Sequence, residues 1–344
     1  MSDMSARRRW LLPVLMAVPL IAAAILIASR ANLLSELSYE PSPDLGELLR
    51  LKGRLLVFRS RQVGANDKRL AVVPLAEPDG QRNFYPLRCE RIAASAMYVL
   101  CLARSNDLLQ PYRMVFVDRA MREIGGDALD GIPSRARISP DEKYFATTSF
   151  VVGDSYASDV FSTRTFIRSI DKNGHMIGPP ENVEYYDLLL NQETYRFPDK
   201  NVWGVTFVPG QDRFFATVSM SDHRYLVDGS ITGRKMVALR DNVECPSLSP
   251  DGLKIAYKKR VHDSPNVAWR FHVLDLVSGA DRELGEERSI DDQIAWLDDQ
   301  HVIYGVPRGD NRDRSDIWSA PTDGGAPTLL LRDADSPTVI GEAE

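Results

Sequence analysis

The side chains able to do chemistry are few and scattered. The five histidines, His175, His223, His262, His272 and His301, have no second histidine at metal-ligand spacing, and they read as turn or strand-surface residues. No GxSxG nucleophile elbow, HExxH, P-loop or Rossmann fingerprint occurs. The stretch GDNRDRSD at 309–316 gathers Asp310, Asp313 and Asp316 but lacks the glycine and terminal glutamate of a calcium loop. Arg308, Arg312 and Arg314 offset its charge, so it reads as a solvated loop. KKR at 258–260 reads as a basic strand end at the surface. No catalytic, cofactor or metal site is assigned. The polar residues placed first for ligand or partner contact are Asp154, Ser155 and Arg164, which flank one loop within GDSYAS and FSTRT. The competing role is satisfaction of loop backbone groups by Ser155 and Thr163.

Cysteine chemistry is more specific. Cys89 and Cys101 bracket CERIAASAMYVLC. A hairpin turn centred near Ser95 sets them opposite one another, within reach of a disulfide after modest adjustment. Two reduced, buried thiols are the alternative. Cys245 opens a different hairpin, with Tyr257 at the partner position, and is expected to stay free and buried.

The elements that carry these residues repeat. SLSPDGLKIAY (247–257), RISPDEKYFA (137–146), VTFVPGQDRFFA (205–216) and IAWLDDQHVIY (294–304) each join two apolar runs through a turn rich in Pro, Asp or Gly, and RIAASAMYVLCLA (91–103) is a weaker copy. Pro250 presets φ, Asp251 bonds its own backbone, and Gly252 tolerates positive φ. A second hairpin follows each one, its first strand ending at Pro74, Asp118, Asp171, Asp228, Asp275 or Ser319. The spacing is that of four-stranded propeller blades, roughly 40–50 residues each. The reading is an all-β protein with six blades, closed by the strand near 53–58 or near 336–340 completing a terminal blade. Alternation such as Leu253, Ile255 and Tyr257 against Lys254 and Lys258 supplies apolar and polar faces, and Trp203, Trp269, Trp296 and Trp318 read as packing between blades. Residues 179–200 read as a loop insertion between the third and fourth blades.

SLSPDGLKIAYKK and DIWSAPTDGGAPTLLL resemble the repeats of TolB-type β-propellers over about residues 53–331. RCERIAASAMYVLCLA, GDSYAS and FSTRT are similar to membrane-anchored TolB-like proteins of actinobacteria. The resemblance implies an extracytoplasmic propeller that binds proteins or envelope components and has no chemistry of its own.

The N-terminus is an address. Arg7, Arg8 and Arg9 precede the uncharged run from Leu11 to Ala28, 18 residues long. That is longer than the roughly 7–15 apolar residues of a cleaved signal peptide, so an uncleaved transmembrane anchor is preferred, with the arginines cytoplasmic. Looser fits to a cleaved or twin-arginine signal remain open. The expected organisation is a basic tail at 1–10, a signal-anchor at 11–28, a stalk at 29–52, in which LLSEL and LGELLRL read as short helices, and the propeller at 53–344. Net charge is −6, which argues against a nucleic-acid partner. The expected role is a binding or scaffold module of the cell envelope, with membrane contact through the anchor and envelope proteins as partners. The rivals are a channel enzyme of lactonase, glycosidase or lyase type and a signal-sensing ectodomain.

Overall fold

The computed structural model describes residues 43–151, 162–195, 200–220, 222–261, 268–309 and 311–341. The expected anchor at 11–28 and the expected LLSEL helix lie outside these residues. Among those described, no helix is long and apolar enough to cross a membrane.

Six antiparallel blades form the fold. Blade 1 is built from Leu55–Ser60, Arg69–Pro74 and Asn83–Arg88, with Ala334–Ile340 as its innermost strand. The closing strand pairs antiparallel with Leu55–Ser60, bringing Arg59 opposite Asp335. Both regions expected to complete a terminal blade thus complete the same one. The inner strands of blades 2 to 6 are Arg91–Ala94, Ile132–Ile138, Asn201–Phe207, Glu244–Leu248 and Ala295–Asp298. Each quoted repeat is the hairpin from an inner strand to the second strand of its blade. Pro74, Asp118, Asp171, Asp228, Asp275 and Ser319 all fall at or near the end of a third strand.

Among the described residues the apolar core divides into six clusters, one at each blade interface. Tyr98, Phe116 and Phe145 stack across the junction of blades 2 and 3 at 5.1 and 5.0 Å between centroids. Phe271 meets Tyr304 edge-on at 4.7 Å between blades 5 and 6. Second strands have a neighbouring blade on either side, so their two faces are both covered: Leu55–Ser60 and Phe214–Met220 are buried throughout. For that reason the expected polar face around Lys258 does not exist, while Leu253, expected on the apolar face, precedes the strand and is exposed. Lys258 is buried, not a surface strand end, and sits 4.8 Å from the Trp269 ring centroid. Gly204 shows how closely inner strands approach. Its φ is +68°, and a Cβ there would lie 2.7 Å from the Cα of Cys245 in the next blade.

The residue 179–200 segment departs from a simple loop. Met176–Asn182 is the outer strand of blade 3, and Val183–Tyr185 forms a single 3₁₀ turn. Asp187–Leu190 and Glu193–Tyr195 then extend blade 4 to six strands, the first pairing parallel with Lys235–Arg240. The outer edge of blade 4 offered free backbone groups, and the insertion pairs with them. The acidic stretch after Arg308 is also more structured than expected: Asn311–Pro321 is one strand, and Asp316 is buried and accepts from Arg308 Nε at 3.1 Å.

At the N-terminal end, helix α1 (Leu45–Lys52) occupies the last part of the expected stalk. Asp44 caps it, its Oδ1 accepting from Gly46 N at 2.7 Å. Leu45 and Leu48 join the cluster between blades 1 and 2, so this helix packs as part of the propeller unit that starts at Pro43.

Cys89 and Cys101 form a disulfide with Cα atoms 5.4 Å apart. The register behind it differs from the sequence reading. Cys101 lies opposite Ile92, and the turn closes from Ser95 to Tyr98, their N and O 2.8 Å apart. Cys89 precedes the hairpin, in the link from blade 1 to blade 2, so the bond ties that link to the second strand of blade 2. Cys245 is free and buried.

Candidate functional site

The inner strands abut in a ring and leave an axial channel, which the propeller fills with charged side chains. Blades 3 and 6 face one another across a six-fold ring, so any contact between them crosses the axis. Arg137 of blade 3 makes such a contact: its Nη2 donates to Ile294 O at 3.2 Å and to Ser247 Oγ of blade 5 at 3.3 Å. With the Gln293 amide oriented to satisfy its neighbours, its oxygen accepts from Arg137 Nη2 at 2.6 Å and Nε at 3.1 Å. Arg135, two residues earlier on the same face, reaches Asp291 at 3.6 Å and Cys245 Sγ at 3.5 Å. Lys258 Nζ meets Asp291 Oδ1 at 2.5 Å. Arg91 donates to Ser134 O at 2.8 Å and stands 3.9 Å from Asp292. Arg59 holds Asp335 through two bonds of 2.6 Å.

This pairing sets the protonation states. Burial opposes ionisation of Asp291, yet Lys258 and Arg135 hold its carboxyl below the ordinary carboxylate value. Burial also opposes the Arg59 charge, and Asp335 and Glu90 more than offset it. Arg137 is different. Burial pushes its guanidinium down to about 10, and no carboxylate among the described residues pairs with it.

One end of the channel opens into a cavity of about 590 Å³. Its rim is the set of repeat turns seen in the sequence: Ala96, Pro140, Pro209, Pro250 and Asp299 each represent one blade. In blade 1, which has no such turn, Arg54 and Gly341 take the place, where the chain enters and leaves the ring. Ser247, Trp296 and Arg137 lie among the lining residues. Trp296 is fixed by its Nε1 donating to Ser247 O at 2.8 Å.

The residues singled out from sequence lie elsewhere. Asp154 and Ser155 are outside the described residues. Arg164 is on the third strand of blade 3 and pairs with Asp130 at 2.5 Å. It lines a separate cavity of about 490 Å³ at the junction of blades 3 and 4, with Phe166, Tyr185 and Arg234. Thr163 Oγ1 donates to Glu184 Oε1 at 3.0 Å, so it anchors the 3₁₀ turn. Of the histidines, His175, His223, His272 and His301 each face an aspartate, the first, second and fourth of them at turns or strand ends.

This propeller fold is matched in solved structures. TolB from Acinetobacter baumannii superposes with a TM-score of 0.58 at 17% identity, over 83% of this chain and 66% of that one. The fold is TolB-type. A TolB of Agrobacterium tumefaciens gives a TM-score of 0.50 at 12% identity, over 85% of this chain and 98% of that one. The chain therefore spans about two thirds of the Acinetobacter TolB and nearly all of the Agrobacterium one. A puromycin-hydrolyzing peptidase of Mycobacterium tuberculosis gives 0.49 at 14% identity, over 80% of this chain and 43% of that one. No family model and no curated protein matches the chain.

Arg137, Asp291 and the Arg59–Asp335 pair were missed as site residues from sequence. The available signal was charge inside inner strands: RAR at 135–137 places two arginines one residue before an SPD turn, where the matching positions of the other repeats carry at most one charge, Arg91 in blade 2.

Proposed function

We propose that this TolB-type propeller is held at a membrane by residues 11–28, lies on the extracytoplasmic side, and binds envelope protein partners through its channel mouth without chemistry of its own. The observation that carries this reading is the division of labour along the axis. The channel carboxylates Asp291, which is exposed, and Asp335, which is buried, are committed to Lys258, Arg135 and Arg59, which leaves them unsuited to general acid–base work. The mouth is open, lined by apolar, hydroxyl and charged side chains, and of a size suited to ligand contact.

Photo-crosslinking tests it. A benzophenone side chain placed at Ala96 or Pro250, on the rim, should give discrete adducts with envelope proteins in intact membranes. The same probe at Leu108, an exposed loop residue 96% accessible and outside the mouth, should not. Equal adducts from all three positions, or none from the rim, would refute a binding role for the mouth.

A further inference from the structure

The arginines at the mouth lack the carboxylate partners that arginines elsewhere in the channel have. The mouth's three acidic residues are all engaged. Glu142 Oε1 accepts from Met97 N at 3.0 Å, Asp299 Oδ1 from Asp251 N at 2.9 Å, and Asp298 Oδ1 from the backbone N–H of Gln300 and His301, both at 2.8 Å. Its two arginines are not matched in the same way. Arg54 donates to Leu297 O, its Nε is buried without a partner, and no carboxylate pairs with it among the described residues. Arg137 bonds only neutral oxygens, through Nη2 and Nε, and its Nη1 has no protein acceptor among the described residues. Arg59 and Arg135 elsewhere in the channel have carboxylate partners, so the arginines at the mouth are the exception. A half-buried cation without a counter-charge keeps part of its desolvation cost, and a charge-assisted hydrogen bond from the unoccupied Nη1 of Arg137 to a carboxylate recovers it.

We propose that Arg137 is the anchor for a carboxylate carried by a peptide segment of the partner, which enters the mouth and stops where Arg137 crosses the axis. The inference rests on the mouth being the binding surface. The surroundings favour a peptide segment: Ser247 and Ser139 offer hydroxyls, and Trp296 and Phe207 offer apolar contact. The carboxylate is either a chain terminus or an Asp or Glu side chain, and both can accept from the same Nη1.

The test is selection of peptide ligands by the purified propeller from two random heptapeptide arrays, one with free C-termini and one amidated. Enrichment confined to free termini assigns the terminal carboxylate, and enrichment of Asp or Glu in the amidated array assigns a side chain. Selected peptides should bind Arg137→Gln about 10- to 100-fold more weakly, the loss expected for a charge-assisted hydrogen bond. Acetate should displace them from the unaltered protein and acetamide should not, a comparison independent of whether the variant folds. Peptides selected without any acidic group, or held equally by Arg137→Gln, but lost on Ala96→Trp at the rim, would overturn the carboxylate anchor and leave the mouth reading standing. Peptides indifferent to both substitutions, or no selection at all, would overturn both.

Discussion

Replacing Asp335 by alanine should open the ring at its seam. Asp335 sits on the closing strand, 6% exposed, and its two oxygens each accept from Arg59 at 2.6 Å. Arg59 is 9% exposed and keeps Glu90 Oε2 at 3.3 Å as an anionic neighbour, with Asp292 also acting on it. Arg61 also lies 3.6 Å from Asp335, with Asp67 as its alternative at 3.2 Å. Removing one partner of a buried pair usually costs about 3–5 kcal/mol, because the remaining charge is stranded. Glu90 and Asp67 mitigate this, so the lower end, about 3 kcal/mol, is expected. Unfolding entropy of about 2.1 cal/mol/K per residue gives ~0.6 kcal/mol/K for about 300 residues, so Tm should fall by about 5 °C. The assay is thermal unfolding followed by circular dichroism at fixed ionic strength. Arg59→Met combined with Asp335→Leu removes both charges and should recover most of the loss. A single variant within 1 °C of the unaltered protein, or a double variant no better than the single, would refute this account of the seam.

Breaking the Cys89–Cys101 bond by Cys101→Ser should cost roughly 2–3 kcal/mol, read from denaturant midpoints, with reductant giving the same shift in the unaltered protein and none in the variant. Gly204→Ala should destabilise by about 2 kcal/mol or more, since positive φ and the Cys245 backbone both oppose a Cβ; an unchanged Tm would contradict the close approach. Glu184 accepts from Thr163 Oγ1 and from Thr165 N at 3.0 Å, and burial raises its carboxyl to about 7. Its folded pKa lies above the unfolded value, so its contribution is full below about pH 4.5 and is lost as pH rises through about 7, with a slope of at most about 1.4 kcal/mol per pH unit. Glu184→Gln should flatten stability between those values, and an unaltered pH profile would count against it. Protease added to sealed spheroplasts should remove the propeller if residues 11–28 anchor it facing outward; protection would argue for the opposite side.

The blade count was legible because the turn residues are local. Pro250, Asp251 and Gly252 fix a hairpin from within three positions, and the six third-strand ends repeat on the same basis. What the sequence hid depends on contacts between distant segments. Lys258 reads as a surface charge beside Lys259 and Arg260, and only the neighbouring blade, which brings Asp291 to it, makes it a core residue. The disulfide shows an intermediate case. Both cysteines are close in sequence, but pairing depended on where the turn falls, and the Ser95–Tyr98 closure shifted the register by three. Arg137 was illegible as a site residue because its meaning lies across the axis, in Ile294 and Gln293, 157 and 156 positions away.

The seam between Leu55–Ser60 and Ala334–Ile340 also dictates an order of events during synthesis. Arg59 and Asp335 are 276 positions apart, so the first strands of blade 1 leave the ribosome long before the strand that covers them. Blades 2 to 6 can each form from contiguous chain. Blade 1 must wait with Leu56 and Phe58 on an unpaired edge, which is the kind of surface that invites wrong pairing and holdase chaperones. Closing a loop of that length is slow but thermodynamically inexpensive. Seam formation should therefore be the late kinetic step, and a chain halted before Ala334 should hold five folded blades beside one that cannot mature.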